Sequence, residues 1–152
     1  NWKSYEGGTH SAFSRDGRWF VTCAGSEFLV HPADRWEEPL SPIRRPLGSD
    51  QHGPVAFSPD SRLVAVAESR YAVGLYLLPR RGESFLKRLA VLESPDRKPL
   101  LALTFSPDGC HLAALLRTGA VQIWNLGVLQ DGLARLQIEL SGAPLCEARE
   151  RH

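Results

Sequence analysis

Three aspartates and five histidines are the side chains of this sequence whose types suit acid–base or metal chemistry. Asp16, Asp60 and Asp108 each come three residues after a phenylalanine, and carboxylates brought together would serve as general acids, general bases or cation ligands. Because all three occupy the same place in a repeated unit, we interpret them as turn formers on separate units. No histidine is paired with Cys, Asp or Glu at metal-ligand spacing, so we expect structural or surface roles for His10, His31, His52, His111 and His152.

Motifs for catalysis are absent from the sequence. It contains no G-x-S-x-G, no H-E-x-x-H, no G-x-x-x-x-G-K-[ST] and no G-x-G-x-x-G. These patterns mark hydrolase nucleophiles, zinc proteases, phosphate-binding loops and dinucleotide-binding folds. We therefore expect a protein that is not an enzyme and has no cofactor or metal site.

Composition and charge disfavour two classes of partner. The 152 residues are 43% hydrophobic and 23% charged, with a formal net charge of +1 and no basic block longer than a pair, so nucleic acid is not expected as a partner. No apolar stretch approaches the roughly 20 residues that span a bilayer, and no charged-then-apolar signal segment opens the sequence. We expect no membrane contact.

The three cysteines bear on the compartment. Cys23, Cys110 and Cys146 are far apart and odd in number, which favours unpaired thiols in a reduced compartment. We therefore predict a cytoplasmic location.

The sequence starts at Asn1, in the middle of a repeating pattern, so we expect it to be part of a longer polypeptide.

One unit occurs three times along the sequence. Aligned on Phe13, Phe57 and Phe105, the copies are 44 and 48 residues apart, and the second and third run without a gap to Leu78 and Leu126. The first copy fits with one residue deleted. This alignment makes three residues equivalent: His31, Tyr76 and Trp124.

Each unit is predicted to form short strands. The stretch LLALTFS alternates apolar with smaller or polar residues, and a Ser-Pro-Asp-Gly or related turn ends this first strand. The second strands, WFVTC, LVAVA and LAALL, are nearly continuous apolar runs, as expected where both sheet faces are covered. The third strands lie in EFLVH, AVGLYLL and AVQIWNL, and FLKRLAVLE is a candidate fourth strand.

A four-stranded antiparallel sheet repeated with this period is typical of a β-propeller blade. The copies resemble WD repeats, matched by the F-S-P-D-G turn at Phe105 to Gly109 and by Trp124-Asn125 in place of a tryptophan-aspartate pair. The resemblance implies an all-β partial propeller of about three four-stranded blades in an open arc. The units span 9–36, 53–92 and 99–126, followed by an amphipathic tail over 127–152, either a short helix or a last outer strand, ARLQIEL.

The sequence departs from the WD pattern at several places. Tyr76-Leu77 and His31-Pro32 occupy the other two tryptophan-aspartate slots, and the usual glycine-histidine pair and turn aspartate are missing. In the family those residues form a hydrogen-bonded network within a blade, so we expect these blades to be held mainly by apolar packing, with Trp124 between two blades. Three blades leave two sheet faces uncovered, and we expect further blades of the same chain or of another chain to cover them.

The resemblance also implies a contact surface at the loops that lead into the first strands and join the second to the third strands. Carried over by position, this surface holds seven residues, mostly basic: Gln51, His52, Arg70, Tyr71, Arg97, Lys98 and Arg117. Tyr and Arg are enriched in interface anchors. We expect a non-enzymatic scaffold that binds protein partners. The alternative is an accessory propeller of a larger enzyme, such as a protein kinase fusion or a prolyl-peptidase-like or TolB-like protein, with catalysis outside this chain.

Overall fold

The computed structural model describes residues 10–46 and 53–135. It contains eleven strands and one helix in this part of the chain. Blade 1 consists of β1 (Ser11–Phe13), β2 (Trp19–Ala24), β3 (Glu27–Pro32) and β4 (Ile43–Arg44). Blade 2 consists of β5 (Val55–Phe57), β6 (Leu63–Ala67), β7 (Ala72–Leu77) and β8 (Lys87–Glu93), and blade 3 of β9 (Leu100–Phe105), β10 (His111–Leu116) and β11 (Val121–Asn125).

Each blade is an antiparallel meander whose strands pair in chain order. The first strands of successive blades contact each other, β1 with β5 and β5 with β9, which places the blades side by side around a common inner edge. The predicted all-β architecture and the fourth strand in FLKRLAVLE are therefore confirmed, whereas blade 3 has three strands among the described residues.

Strand register confirms the alignment of the three units. Phe20 pairs with His31, Val64 with Tyr76, and Leu112 with Trp124. Phe20, Val64 and Leu112 are each seven residues beyond the aligned phenylalanines, so the three third-strand positions are equivalent. The one-residue deletion lies in the tighter turn at Gly25-Ser26, where Gly25 adopts a φ of 60°.

The apolar core lies in two seams between blades. One cluster joins Val21, Phe28 and Val30 of blade 1 to Val64 and other blade 2 side chains. The other joins blade 2 to blade 3 through residues such as Leu75 and Leu112, and Trp124 packs against it. Burying apolar surface between sheets is the main stabilising term in such an arrangement, and Trp124 occupies the predicted position.

Only the central blade has its second strand buried on both faces. All five residues of β6 are buried, as the apolar run LVAVA predicts. In β10, by contrast, Leu112, Ala114 and Leu116 are buried while Leu115 is 41% exposed. Burial alternates along β10 because only one neighbouring blade is present among the described residues. The sequence of β10 is as apolar as that of β6, but only one of its faces is covered.

The outward faces of blades 1 and 3 are apolar. On blade 1, Phe13 is 68% exposed and its ring centroid lies 4.4 Å from that of Phe20. On blade 3, Val121 and Ile123 are each 59% exposed and lie on the same face as Leu115, because Leu115 pairs with Val121. The predicted uncovered faces are thus present in this part of the chain.

A helix, α1 (Leu126–Arg135), follows β11 directly. The Asn125 side-chain oxygen accepts hydrogen bonds from the backbone N–H groups of Gly127 (2.9 Å) and Val128 (3.3 Å), the arrangement of a helix N-cap. Leu126 is fully buried against blade 3. The helical alternative for the tail is confirmed up to residue 135, and the rest of ARLQIEL lies outside the described residues.

Across the described ranges, no helix has the length and apolar character needed to cross a membrane.

The expectation of unpaired cysteines is wrong at one position. Cys110 is disulfide-bonded, whereas Cys23 is buried in the seam between blades 1 and 2. Cys146 lies outside the described residues. The spacing of the cysteines in the sequence did not predict this disulfide bond. Pairing depends on which segments the fold brings together.

Candidate functional site

Three loops meet at one edge of blades 2 and 3. These are the turn from β6 to β7 (68–71), the connection from β8 to β9 (94–99) and the turn from β10 to β11 (117–120). We call this set of three loops the loop edge. It contains Arg70, Tyr71, Arg97, Lys98 and Arg117, so the structure brings together five of the seven predicted contact residues, while Gln51 and His52 lie outside the described ranges.

Backbone hydrogen bonds join the three loops. Ser94 N–H donates to the Tyr71 carbonyl (2.8 Å), and Leu100 N–H donates to the Arg70 carbonyl (2.9 Å). Arg117 N–H donates to the Pro99 carbonyl (2.8 Å). These bonds fix the relative positions of loops that are far apart in sequence, so the loop edge is held by the main chain rather than by side chains alone.

Arg97 lies over the ring of Tyr71. Its guanidinium carbon is 5.5 Å from the ring centroid, within the range of a cation–π contact. Arg97 has a φ of 49°, a left-handed conformation that is uncommon for a residue with a side chain, and its N–H donates to the Ser94 carbonyl (3.0 Å). The turn therefore holds Arg97 in a defined position.

The cations of the loop edge differ from several others on the molecule. Among described residues, no carboxylate lies within 4.0 Å of the side-chain nitrogens of Arg97, Lys98 or Arg117, whereas Arg18, Arg44 and Arg88 each form an ion pair. Arg97, Lys98 and Arg117 are all exposed, and Asp96 is the carboxylate in the same connection. The loop edge thus presents a positively charged surface.

A second polar cluster lies in the seam between blades 1 and 2, and sequence reasoning missed it. The Tyr76 hydroxyl and the Arg88 guanidinium both donate to the Glu68 carboxylate, whose side chain is 14% exposed. Desolvation and the hydrogen bond to Glu68 raise the pKa of Tyr76, so the phenol stays neutral. These residues line a cavity of about 420 Å³ with Pro42 and Phe85.

Gly74 is what allows this cluster to form. A Cβ at Gly74 would meet the Glu68 carboxylate and would lie 2.8 Å from Cε2 of Tyr76, so the Glu68 side chain passes directly over the glycine. A glycine inside a strand pattern signals a close approach, and the glycine in AVGLYLL was the available signal. The blades are therefore not held by apolar packing alone.

The three turn aspartates do not form a shared carboxylate site. Each accepts a hydrogen bond from the serine two residues earlier, and from the backbone N–H two residues later. They lie on the turns of three different blades, as predicted: Asp16, Asp60 and Asp108.

These contacts change the pKa of two of the aspartates. Desolvation raises the pKa of Asp16, but hydrogen bonds from Ser14 and Arg18 outweigh it and lower the value to about 2. The hydrogen bond from Ser106 and then that from Cys110 N–H lower the pKa of Asp108. Both carboxylates are thus held ionised as acceptors in their turns.

The described histidines are also apart from one another. His31 Nδ1 lies 2.7 Å from the Trp36 carbonyl oxygen, and its ring is 6.2 Å from that of Phe20. Within residues 10–46 and 53–135, no group of three or more His, Cys, Asp or Glu side chains is arranged to hold a metal ion.

No protein-family model and no curated protein matches the sequence. The fold is similar to the crystal structure of the Myceliophteria thermophila Cps50 (Swd1) β-propeller domain, with a TM-score of 0.59 and 14% identity over 77% of this chain and 37% of that one. Two proteins provisionally named 6-phosphogluconolactonases are also similar, each with a TM-score of 0.58 over 76% of this chain. The Bacteroides fragilis protein is 16% identical over 34% of its length, and the Bacteroides uniformis protein 15% identical over 35%.

These similarities establish a β-propeller fold. At this level of identity they show the fold alone, and they extend over 34% to 37% of the length of those structures.

Proposed function

We propose that this chain is a segment of a WD-repeat propeller that serves as a non-enzymatic scaffold and binds protein partners through the loop edge. The observation that carries the proposal is the joining of three separate loops by backbone hydrogen bonds around the Tyr71–Arg97 stack. A surface fixed in advance loses less conformational entropy on binding. Tyrosine and arginine are also the side chain types that most often anchor interfaces.

The WD assignment rests on the repeated unit. The turn serine and aspartate make the same hydrogen bonds in all three blades, and Trp124 lies in the seam between blades 2 and 3. No step of the proposed function needs a cofactor, nucleic acid or membrane.

The outward faces of blades 1 and 3 supply a second element of the proposal. Phe13 on one face and Val121 and Ile123 on the other leave apolar area in water, which favours association. We propose that further blades, of the same chain or of another chain, cover both faces. Light scattering on residues 1–152 alone should show self-association, and a stable, monodisperse monomer would contradict this element.

A second candidate function is an accessory propeller in a larger enzyme. The similarity to two provisionally named lactonases supports considering it, as does the cavity lined by Glu68, Tyr76 and Arg88. The sequence that flanks this chain in the complete protein discriminates the two: blades alone favour the scaffold, and a kinase or hydrolase domain favours the accessory role.

The scaffold function can be tested by replacing side chains of the loop edge in the complete protein. We would replace Tyr71, Arg97 and Arg117 by alanine and compare co-purifying proteins with those of the wild type. The matched control is Arg80→Ala with Arg81→Ala, two exposed arginines at the opposite edge of blade 2. The loop-edge variant should lose specific partners that the control retains, and identical partner sets would remove the loop edge from consideration.

A further inference from the structure

We propose that the loop edge recognises an acidic peptide segment, with Arg97, Lys98 and Arg117 binding its carboxylates. This inference deepens the proposed function, on which it rests, by naming the chemistry of the partner. It follows from three properties of the loop edge: the position of Arg97 over Tyr71, the presence of three exposed cations on two adjoining loops, and the scarcity of aromatic side chains.

Arg97 is placed to bind a carboxylate. Its guanidinium carbon lies over the Tyr71 ring, 5.5 Å from the ring centroid, and its backbone N–H donates to the Ser94 carbonyl in the turn. The guanidinium carries five N–H donors whose planar arrangement matches a carboxylate in a bidentate geometry, and no carboxylate of the described residues forms an ion pair with it. Because the guanidinium is already held in position, binding costs less entropy than for a freely moving arginine.

Lys98 and Arg117 extend the positive surface toward blade 3. The hydrogen bond from Arg117 N–H to the Pro99 carbonyl places Arg117 beside the residue that follows Lys98. Neither side chain has an ion-pair partner within the described residues, and both are exposed. Exposed cations on adjoining loops produce a positive local potential, which attracts an acidic ligand.

The loop edge favours a peptide over nucleic acid. Single-stranded nucleic acid binds where several aromatic rings stack on successive bases along a basic groove. Here Tyr71 is the one aromatic side chain in the three loops, and Arg97 covers a face of its ring. A carboxylate-rich segment needs only the charges and donors that these loops supply.

The test measures binding of a defined probe to the complete protein. A fluorescein-labelled twelve-residue peptide of alternating Glu and Ser is titrated by anisotropy, with the Gln-for-Glu peptide as the neutral comparison. The acidic peptide should bind, and its affinity should fall as salt rises from 50 to 200 mM because exposed charge pairs are screened. Equal binding of the neutral peptide, or no binding of the acidic one, would overturn the inference.

Charge reversal locates the binding. The triple variant R97E/K98E/R117E should weaken acidic peptide binding by about tenfold or more, whereas R80E/R81E/K87E, with the same charge change at the opposite edge of blade 2, should leave it unchanged. An equal loss in both variants would mean attraction to overall charge and overturn the proposal. If the triple variant melts at lower temperature, K98Q/R117Q, which leaves the Arg97 turn intact, replaces it, and an unchanged affinity in that variant would overturn the proposal.

Two further outcomes separate this inference from the function on which it rests. If the loop-edge alanine variant loses its partners while the acidic peptide fails to bind the wild type, the scaffold stands and the acidic partner is wrong. If a twelve-nucleotide single-stranded RNA binds more tightly than the acidic peptide, the peptide inference is overturned in favour of nucleic acid.

Discussion

Ser61 connects the turn of blade 2 to the turn of blade 1, because its hydroxyl accepts a hydrogen bond from the backbone N–H of Asp16 (3.1 Å). Ser61 has a φ of 57°, in the position where the other two turns carry Gly17 (71°) and Gly109 (73°). A serine in this conformation is disfavoured relative to glycine. The hydrogen bond across the seam explains why the strained residue is tolerated, since only a side chain with an oxygen can make it.

The first prediction concerns the balance at Ser61 between the cost of its backbone conformation and the hydrogen bond that its hydroxyl accepts. Ser61→Ala keeps the strained φ and loses the acceptor, so it should lower the free energy of unfolding by about 1–2 kcal/mol. Ser61→Gly loses the same bond but relieves a backbone cost of similar size, so it should fall within about 0.5 kcal/mol of wild type. Chemical denaturation measures both, and equal losses in the two variants would contradict the role of the backbone.

The strands could be predicted from the sequence because their signals are local. The period-2 pattern and the turn depend on residues close in sequence, and the equivalence of Tyr76 and Trp124 follows from comparing two copies of the unit. The observed registers match these predictions. Burial was less predictable. LVAVA and LAALL have the same apolar character, yet only the first is covered on both faces, because coverage depends on neighbouring blades and not on the strand itself.

The candidate sites show the same division. The loops of the loop edge were predicted from their positions in the repeat. The backbone hydrogen bonds that join them could be found only from the folded structure. The Glu68 cluster was not predicted, because Glu68 and Arg88 are 20 residues apart and their approach depends on a register shift between Leu75 and Tyr76. No local pattern in the sequence encodes that shift.

The second prediction concerns the close approach over Gly74. Gly74→Ala would push the added methyl group into the Glu68 carboxylate and the Tyr76 ring, breaking the hydrogen bonds that Glu68 accepts. The free energy of unfolding should fall by about 1–3 kcal/mol, measured by denaturant titration. A smaller change than 0.5 kcal/mol would mean that Glu68 moves away without cost.

A double-mutant cycle identifies the partner in this collision. Glu68→Ala removes the carboxylate that the new methyl group meets, so Gly74→Ala should cost at least about 1 kcal/mol less in that background. Gly74→Ala combined with Asp34→Asn, in an exposed loop of blade 1, should be additive. Additivity in both pairs would argue that the cost of Gly74→Ala comes from Tyr76 alone.

The third prediction concerns Asn125, which stands where the WD pattern has aspartate and caps α1. Asn125→Ala removes the acceptor for Gly127 and Val128 N–H and should destabilise the helix by about 1 kcal/mol. Asn125→Asp keeps the acceptor and adds a negative charge at the helix N-terminus, so it should be neutral or slightly stabilising. Hydrogen exchange at residues 127 and 128 should be faster in the alanine variant only; faster exchange in both would contradict the capping role.

The fourth prediction concerns the pH dependence that Asp16 contributes. Its pKa is lowered from 3.8 to about 2, so the folded state favours the ionised form, and the stabilisation is complete well above pH 4 and is lost as the pH falls toward 2. Because the carboxylate is near the surface, solvent screening reduces the contribution to about 1 kcal/mol. Asp16→Asn should therefore unfold at a lower temperature than wild type at pH 7, and the difference should shrink between pH 4 and pH 2.

The control, Asp34→Asn, alters an exposed loop carboxylate and should match wild type throughout. A gap between wild type and Asp16→Asn that stays constant down to pH 2 would show that the turn depends on the shape of the side chain and not on its charge.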